Sequence, residues 1–143
     1  MRILGVDFGE KRIGLALSDP MGNFAQPLEA VVVEGDLAEA AEKIGALARE
    51  YEAGEIVLGL PRNMDDTLGK KAEQALAFRD VLVEKTGLPV ITWDERLSTR
   101  QAERHLRETG WSRRRRMKRV DMVAAQIILQ GYLDFRSRGH PSR

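Results

Sequence analysis

Residues 2–19, RILGVDFGEKRIGLALSD, limit the possible folds of this chain more than any other stretch. They predict two short strands joined by a tight turn at residues 8–11. The first strand is apolar on both faces until it reaches Asp7, which is typical of a central strand covered on both sides. A carboxylate there is costly unless positive charge compensates it. Asp7 is therefore either a turn residue that accepts backbone hydrogen bonds or a metal ligand whose partners come from elsewhere in the chain.

The rest of the chain continues with strand and helix patterns. Strands are predicted at 28–33, 55–60 and 88–93, and helices at about 37–52, 68–85, 99–108 and 117–135. A basic loop is predicted at 111–119 and a frayed tail at 136–143. This order predicts one α/β domain over residues 1–143, with the RNase H-like architecture: a five-stranded mixed sheet of order 3-2-1-4-5 with helices on both faces. The C-terminal ends of strands one, four and five then meet where open α/β sheets bind ligands.

Composition excludes several classes of protein. The chain has 143 residues, enough for one full hydrophobic core, and no cysteine, so disulfides and thiolate metal sites are excluded. No apolar run approaches the roughly 20 residues of a membrane span and no signal peptide precedes the first strand, so a cytoplasmic protein is expected. Net charge is −8 over residues 1–95 and +9 over residues 96–143. The basic third predicts a polyanionic partner, although a solvated helix surface would also be basic.

Carboxylates from three parts of the chain can converge at the predicted sheet edge. Asp7 ends the first strand, Asp94 and Glu95 end the fifth, and Asp121 lies near the start of the last helix. Asp121 lies at the margin of the apolar arc that is predicted for this helix, which consists of Val120, Val123, Ala124, Ile127, Ile128 and Gly131. Taken alone, Asp121 is a favourable charge at a helix N-terminus. Together, these acids would repel one another unless a cation lay between them, and oxygen ligands suit Mg²⁺ or Mn²⁺. Two such ions can bind the attacking and leaving oxygens of a phosphodiester.

A nuclease site must also bind phosphate, and the cationic residues beside Asp121 in the sequence can do this. Arginine binds phosphate in a forked geometry, and a mobile basic loop can follow a nucleic-acid backbone without reading bases. Arg12, at the start of the second strand, either holds a phosphate or forms a surface ion pair. The candidate nucleic-acid-binding residues are Arg12, Arg96, Arg113, Arg114, Arg115, Arg116, Lys118 and Arg119.

Four blocks of sequence carry a resemblance to a known family. They are GVDFGEKRIGLALSD (5–19), IVLGLPRNMD (56–65), DERLST (94–99) and KRVDMVAAQIILQGYL (118–133). On these blocks the chain resembles the YqgF (RuvX) family, whose members are described as pre-16S ribosomal RNA nucleases and as Holliday junction resolvases. The resemblance implies an RNase H-like fold and a metal-dependent endonuclease that processes the 5′ end of precursor 16S ribosomal RNA in bacteria. It places the family's acidic positions on Asp7, Glu95 and Asp121.

One departure from the wider RNase H-like pattern leaves the ligand set open. Many members of that superfamily have an acid at the end of strand four, whereas this strand ends Gly59-Leu60. Glu95 at the end of the neighbouring strand is expected to take over this role, with Asp94 as the alternative because strand alternation turns only one of the two toward the site.

Other functions remain open from the sequence. Four-way DNA is an alternative substrate to precursor ribosomal RNA, because both present closely spaced phosphates. A second alternative is a non-catalytic RNA-binding assembly factor, which the missing strand-four acid favours. A third is an ATP-handling enzyme, since actin-like and sugar-kinase-like domains begin with a similar strand-turn-strand. Ribosomal particles are a further expected partner, membranes are not, and the chain is expected to be a monomer or a homodimer.

Overall fold

A computed structural model describes residues 1–61, 68–94 and 113–139, and within the last range the side chains of 122–137. The elements are β1 (Arg2–Asp7), β2 (Arg12–Ser18), β3 (Ala25–Val32), α1 (Leu37–Glu50), β4 (Ala53–Leu60), α2 (Lys70–Thr86), β5 (Val90–Asp94) and α3 (Arg113–Gly139). The five strands form one sheet of order β3-β2-β1-β4-β5, as predicted. β1 pairs antiparallel with β2 and parallel with β4, and β5 is parallel to β4.

Local signals explain where the helices begin and end. Asp36 is the N-cap of α1, and its side chain accepts hydrogen bonds from the backbone N–H groups of Ala38 and Glu39 at 2.6 and 3.2 Å. α2 ends at Gly87, which adopts the left-handed conformation at φ +71°. A glycine takes that conformation without the steric cost that a Cβ would add.

The sheet is covered on both faces, so β1 is the buried central strand that its sequence predicts. On one face, Leu4 and Val6 pack with residues of α1 and α2 such as Ile44 and Phe78. On the other face, Ile3 packs in the cluster formed by α3, whose largest members include Leu129. Because strand side chains alternate, Gly5 and Asp7 lie on the same face as Ile3, under α3.

The last helix is longer than predicted. The predicted basic loop at 111–119 is helical from Arg113 onward, and the helix extends through Gly139, four residues into the predicted frayed tail, whose remaining residues lie outside the described part of the chain. Arginine, lysine and methionine are good helix formers, and the run from 113 to 130 contains neither glycine nor proline, so a high density of charge does not prevent a helix there. The predicted helix at 99–108 lies outside the described residues.

Strand boundaries also differ by a few residues. β3 begins at Ala25 rather than at 28, because Pro27 is tolerated in a strand at the edge of a sheet. β4 begins at Ala53, so Gly54 lies within a strand and does not end the preceding helix. β5 spans Val90–Asp94, two residues later at its start than predicted. Among the described residues, no helix is both long enough and apolar enough to cross a membrane.

Candidate active site

Asp7 is the last residue of β1 and lies, half-buried, where neighbouring side chains are small. Gly14 is its partner in β2. In β4, Gly59 follows Leu58, the partner of Val6, and so lies at the level of Asp7. Gly5 precedes Asp7 on the same face. Glycines therefore flank Asp7 in both neighbouring strands, which leaves space beside the carboxylate for a hydrated cation and a phosphate.

Helix α3 crosses this face of the sheet close to β1. A Cβ added to Gly5 would lie 2.8 Å from the Leu129 Cβ and 3.1 Å from the Ala125 carbonyl oxygen. Toward the start of the strands, the Tyr132 hydroxyl donates to Glu55 Oε1 at 3.4 Å. Arg136 forms an ion pair with the same oxygen at 3.5 Å. Because Glu55 is the partner of Ile3, residues later in α3 lie nearer the start of β1, and the helix runs antiparallel to that strand.

This antiparallel crossing brings position 121 toward Asp7. Asp121 precedes Ala125 by one helical turn, about 6 Å along the axis. Asp7 follows Gly5 by two strand residues, about 7 Å in the same direction. Since Ala125 lies over Gly5, both acidic positions lie beyond it at the same edge of the sheet.

The register of α3 corrects one detail of the sequence interpretation. Ala125, Leu129 and Tyr132 are buried against the sheet, whereas Ile127, expected in the buried arc, is half-exposed. Position 121 lies four residues before Ala125, one turn nearer the start of the helix. The side chain of Asp121 itself is outside the described part of the helix.

Asp94 lies on the sheet face opposite to that of Asp7. Its partner in β4, Leu60, packs with Ala72 and Ala75 of α2, on the sheet face opposite to α3. The preceding residue, Trp93, packs in the α3 cluster, as strand alternation requires. Asp94 is exposed at the strand end. The structure thus separates Asp94 from the face that carries Asp7, and Glu95 and Arg96 lie outside the described residues.

Arg12 lies on the same sheet face as Asp7. It starts β2 two residues before Gly14, the partner of Asp7, and is half-buried. The turn between β1 and β2 is tight, since a Cβ at Gly9 would collide with the Arg12 carbonyl oxygen. The backbone at Arg113, Arg114, Arg115, Arg116, Lys118 and Arg119 forms the first turns of α3, on the N-terminal side of position 121. Arg12 and the backbone of the basic first turns of α3 therefore lie toward the same edge of the sheet as Asp7.

Within the described ranges, no group of three or more Asp, Glu or His residues is close enough to hold a metal ion. Asp7 contributes one carboxylate, and oxygen donors of this kind fit Mg²⁺ or Mn²⁺. The sequence interpretation did not single out Gly14 and Gly59. Strand register identifies them, because each lies beside Asp7 in a neighbouring strand.

Comparison with known proteins identifies the family of this chain. Residues 1–135 match the family described as "RuvX: Holliday junction resolvase". The chain belongs to the RuvX family. A relative from Symbiobacterium thermophilum is 50% identical over 144 residues, covering 99% of this chain and 97% of the relative. One from Pelotomaculum thermopropionicum is 49% identical over 143 residues, covering 100% of this chain and 92% of the relative. Both carry the name "Putative pre-16S rRNA nuclease".

Solved structures establish the fold. The chain superposes on T. thermophilus RuvC, in complex with Holliday junction substrate, with a TM-score of 0.56 at 16% identity, covering 94% of this chain and 96% of that one. A second T. thermophilus RuvC structure gives a TM-score of 0.50 at 17% identity, with 94% and 97% covered. This RuvX chain therefore has the predicted RNase H-like fold, which it shares with RuvC.

Proposed function

We propose that this RuvX protein is a divalent-metal-dependent endonuclease that cleaves phosphodiesters of structured nucleic acid, and that its substrate is the 5′ region of precursor 16S ribosomal RNA. One observation carries the proposal. The antiparallel crossing of α3 over Gly5 brings position 121 and Asp7 to the same end of the sheet, beside Arg12 and the basic start of α3. Acids and cations gathered in this way suit a phosphate held between metal ions and arginines.

The proposed metal ligands are Asp7, Glu95 and Asp121. Asp94 is a weaker candidate because its partner Leu60 faces α2. In an alternating strand, a residue and its successor occupy opposite faces, which leaves Glu95 as the acid to pair with Asp7. In this arrangement Glu95 supplies the carboxylate that strand four lacks at Gly59-Leu60.

Each proposed residue has a defined task. A Mg²⁺ or Mn²⁺ ion, when bound, neutralises charge on the scissile phosphate and activates the attacking water. Asp7 on its rigid central strand fixes the position of the ion relative to the sheet. Arg12, on the same face, donates to a phosphate oxygen and orients the backbone for in-line attack. Arg96 and the cations at the start of α3, Arg113–Arg116, Lys118 and Arg119, bind flanking phosphates without selecting bases.

Precursor ribosomal RNA is the proposed substrate because the relatives at 49 and 50% identity are named pre-16S rRNA nucleases. The similarity to them extends over nearly their full length. The family description and the RuvC likeness favour a second candidate, cleavage of four-way DNA junctions. Under the first, precursor ribosomal particles in the bacterial cytoplasm are the partner. A non-catalytic role in ribosome assembly would require the basic residues for RNA binding but would not require the acids.

The test is cleavage of a precursor 16S transcript by the purified protein, with the cut mapped by primer extension and a four-way DNA junction assayed in parallel. We expect Mg²⁺-dependent cleavage of the RNA, abolished by EDTA and by Asp7→Asn. The matched control is Asp80→Asn, the same charge change at an exposed position of α2, which should leave cleavage intact. Selective cleavage of the four-way junction would instead identify DNA as the substrate. Unchanged cleavage in EDTA or in Asp7→Asn would reject the metal mechanism, and RNA binding without cleavage would favour the assembly role.

A further inference from the structure

Large apolar side chains are exposed at the end of the sheet opposite to Asp7. Met1, Met21 and Phe24 are 85, 80 and 68% exposed, the three highest values among the large apolar residues of the described chain. Met21 and Phe24 belong to the loop between β2 and β3, and the Met1 ammonium donates to the Pro20 carbonyl oxygen of that loop at 3.3 Å. The three side chains therefore belong to one surface, which we name the apolar end. Exposed apolar groups gathered in this way mark interaction sites in soluble proteins.

The loop at the apolar end is held in one conformation. Asp19 Oδ1 accepts hydrogen bonds from the backbone N–H groups of Asn23 and Phe24 at 2.7 and 2.8 Å. The Asp19 N–H donates to the Phe24 carbonyl at 3.0 Å, and Gly22 adopts φ +74° to close the turn. The Phe24 N–H is the main reason that the pKa of Asp19 lies below its usual value. Met21 and Phe24 thus project from a preorganised loop, and little conformational entropy is lost when a partner binds them.

A surface hollow adjoins this projecting loop. It has a volume of about 450 Å³ and is lined by Met1, Arg2, Pro20, Glu50, Tyr51 and Glu52. Pro20 belongs to both the loop and the hollow. The hollow carries both signs of charge, and among the described residues no ion pair joins Arg2 to either glutamate. One surface therefore offers a projection that carries the Asp19 carboxylate and a depression lined by the Met1 ammonium, Arg2 and two glutamates.

We propose that the apolar end is the two-fold interface of a homodimer, in which the 19–24 loop of each copy enters the hollow of the other. A two-fold interface must be self-complementary, since each surface patch meets its own copy. A projection beside a depression satisfies that requirement in shape. Arg2 of one copy opposite Glu50 or Glu52 of the other satisfies it in charge.

The area fits a dimer of modest affinity. At about 200 Å² for a whole large side chain, the exposed parts of Met1, Met21 and Phe24 amount to roughly 450 Å² per copy. With the walls of the hollow added, each copy approaches the lower limit of roughly 600 Å² for specific interfaces. A dimer that forms at micromolar concentration is expected. The interface leaves both candidate active sites free, because Asp7 lies at the other end of β1.

Sedimentation equilibrium of the full chain over a concentration series tests the proposal. We expect a monomer–dimer equilibrium, weakened at least tenfold by Phe24→Ser and by Met21→Ser. Both positions are exposed, so these variants should fold, which circular dichroism will verify. Val83→Ser is the matched control, because Val83 is 45% exposed on α2 away from the apolar end and should leave the equilibrium unchanged.

A charge exchange tests the two-fold arrangement itself. Arg2→Glu should weaken the dimer by placing three acids in each hollow, and adding Glu50→Arg in the same chain should restore it. A chain that remains monomeric at several hundred micromolar overturns the proposal and assigns the apolar end to a different partner. A dimer that is unaffected by Phe24→Ser and Met21→Ser also overturns it. A dimer that both apolar variants weaken but the charge exchange does not restore refutes the proposed pairing of Arg2 with the glutamates.

Discussion

Leu129 lies directly over Gly5, and this contact fixes how closely α3 approaches the central strand. A Cβ at position 5 would lie 2.8 Å from the Leu129 Cβ, closer than two carbon atoms can pack. Both atoms belong to rigid elements, so neither can move without displacing its helix or strand. Gly5 precedes Asp7 by two residues and Leu129 follows position 121 by eight, so the same contact determines how near the two acidic positions come.

Gly5→Ala should therefore lower both stability and activity. We expect a decrease of about 1–3 kcal/mol in the free energy of unfolding, typical of overpacking in a core, measured by urea denaturation. Cleavage should fall further than the loss of folded protein explains, because α3 carries Asp121. The control is Gly35→Ala, where the nearest atom is the flexible Glu39 Oε2 at 3.3 Å. If Gly5→Ala matches the wild type in both assays, the helix does not position the site.

A second prediction tests which of the two sheet faces carries the metal ligand. Asp7→Asn should reduce metal-dependent cleavage by at least about 100-fold, the effect of losing roughly 3 kcal/mol of transition-state stabilisation. Asp94→Asn is the matched variant, since it removes the same charge at a neighbouring strand end on the opposite face. It should leave cleavage within about fivefold of the wild type, a difference of about 1 kcal/mol. Calorimetric titration with Mn²⁺ should show weakened binding only for Asp7→Asn. Equal losses in both variants would contradict the proposed ligand set.

The sequence predicted the sheet order because the order follows from local patterns, and the role of the candidate acids stays a prediction. The apolar run before Asp7 indicated a central strand, and the order of strands and helices restricted the topology to few alternatives. The choice between Asp94 and Glu95 could not be made in the same way, because it depends on the register between β4 and β5. That register is set by long-range pairing of Leu60 with Asp94.

The orientation of α3 was predicted only approximately for a similar reason. Hydrophobicity placed Ile127 and Gly131 in the buried arc and left Leu129 out, yet Leu129 is fully buried. The helix rotates toward Leu129 because Gly5 leaves a depression in the sheet, while Gly131 accommodates the indole of Trp93, whose Nε1 would lie 3.2 Å from a Cβ at position 131. Matching of small and large residues between two elements distant in sequence cannot be derived from either element alone.

A third prediction concerns two glutamines of α3 that hold the start of the edge strand β3. Gln130 Oε1 accepts a hydrogen bond from the Ala25 N–H at 2.8 Å, and Gln126 Nε2 donates to the Ala25 carbonyl at 3.1 Å. Ala25 is 6% exposed, so water cannot easily replace these partners. Gln130→Leu should cost about 1–3 kcal/mol, the penalty for a buried backbone group without a partner.

Urea denaturation and amide hydrogen exchange at Ala25 measure this effect. Exchange at Ala25 should accelerate more than at residues in β1. Gln74→Leu is the control, because Gln74 makes only a surface hydrogen bond to Glu10 at 3.1 Å and should change stability little. Unchanged exchange at Ala25 in Gln130→Leu would show that the glutamines do not anchor the strand.

The last prediction follows from the cluster that holds the end of α3. Burial raises the pKa of the Tyr132 hydroxyl above its usual value of 10.0, and the nearby Glu55 carboxylate adds to the increase. Below that value the phenol is protonated in both the folded and the unfolded chain, and its contribution to stability is fully present. As the pH rises through 10.0, the unfolded chain loses its proton first, so the free energy of unfolding decreases. Tyr132→Phe removes this proton and should flatten the alkaline decline of stability.

Urea denaturation from about pH 8 to pH 11 compares the two proteins across the range where tyrosine titrates. Other alkaline groups titrate in both, so the difference between the two curves isolates Tyr132. Parallel curves for wild type and Tyr132→Phe would mean that the hydroxyl is not held against Glu55. The C-terminal turns of α3 would then be anchored by other contacts, among them the Arg136–Glu55 ion pair and apolar packing.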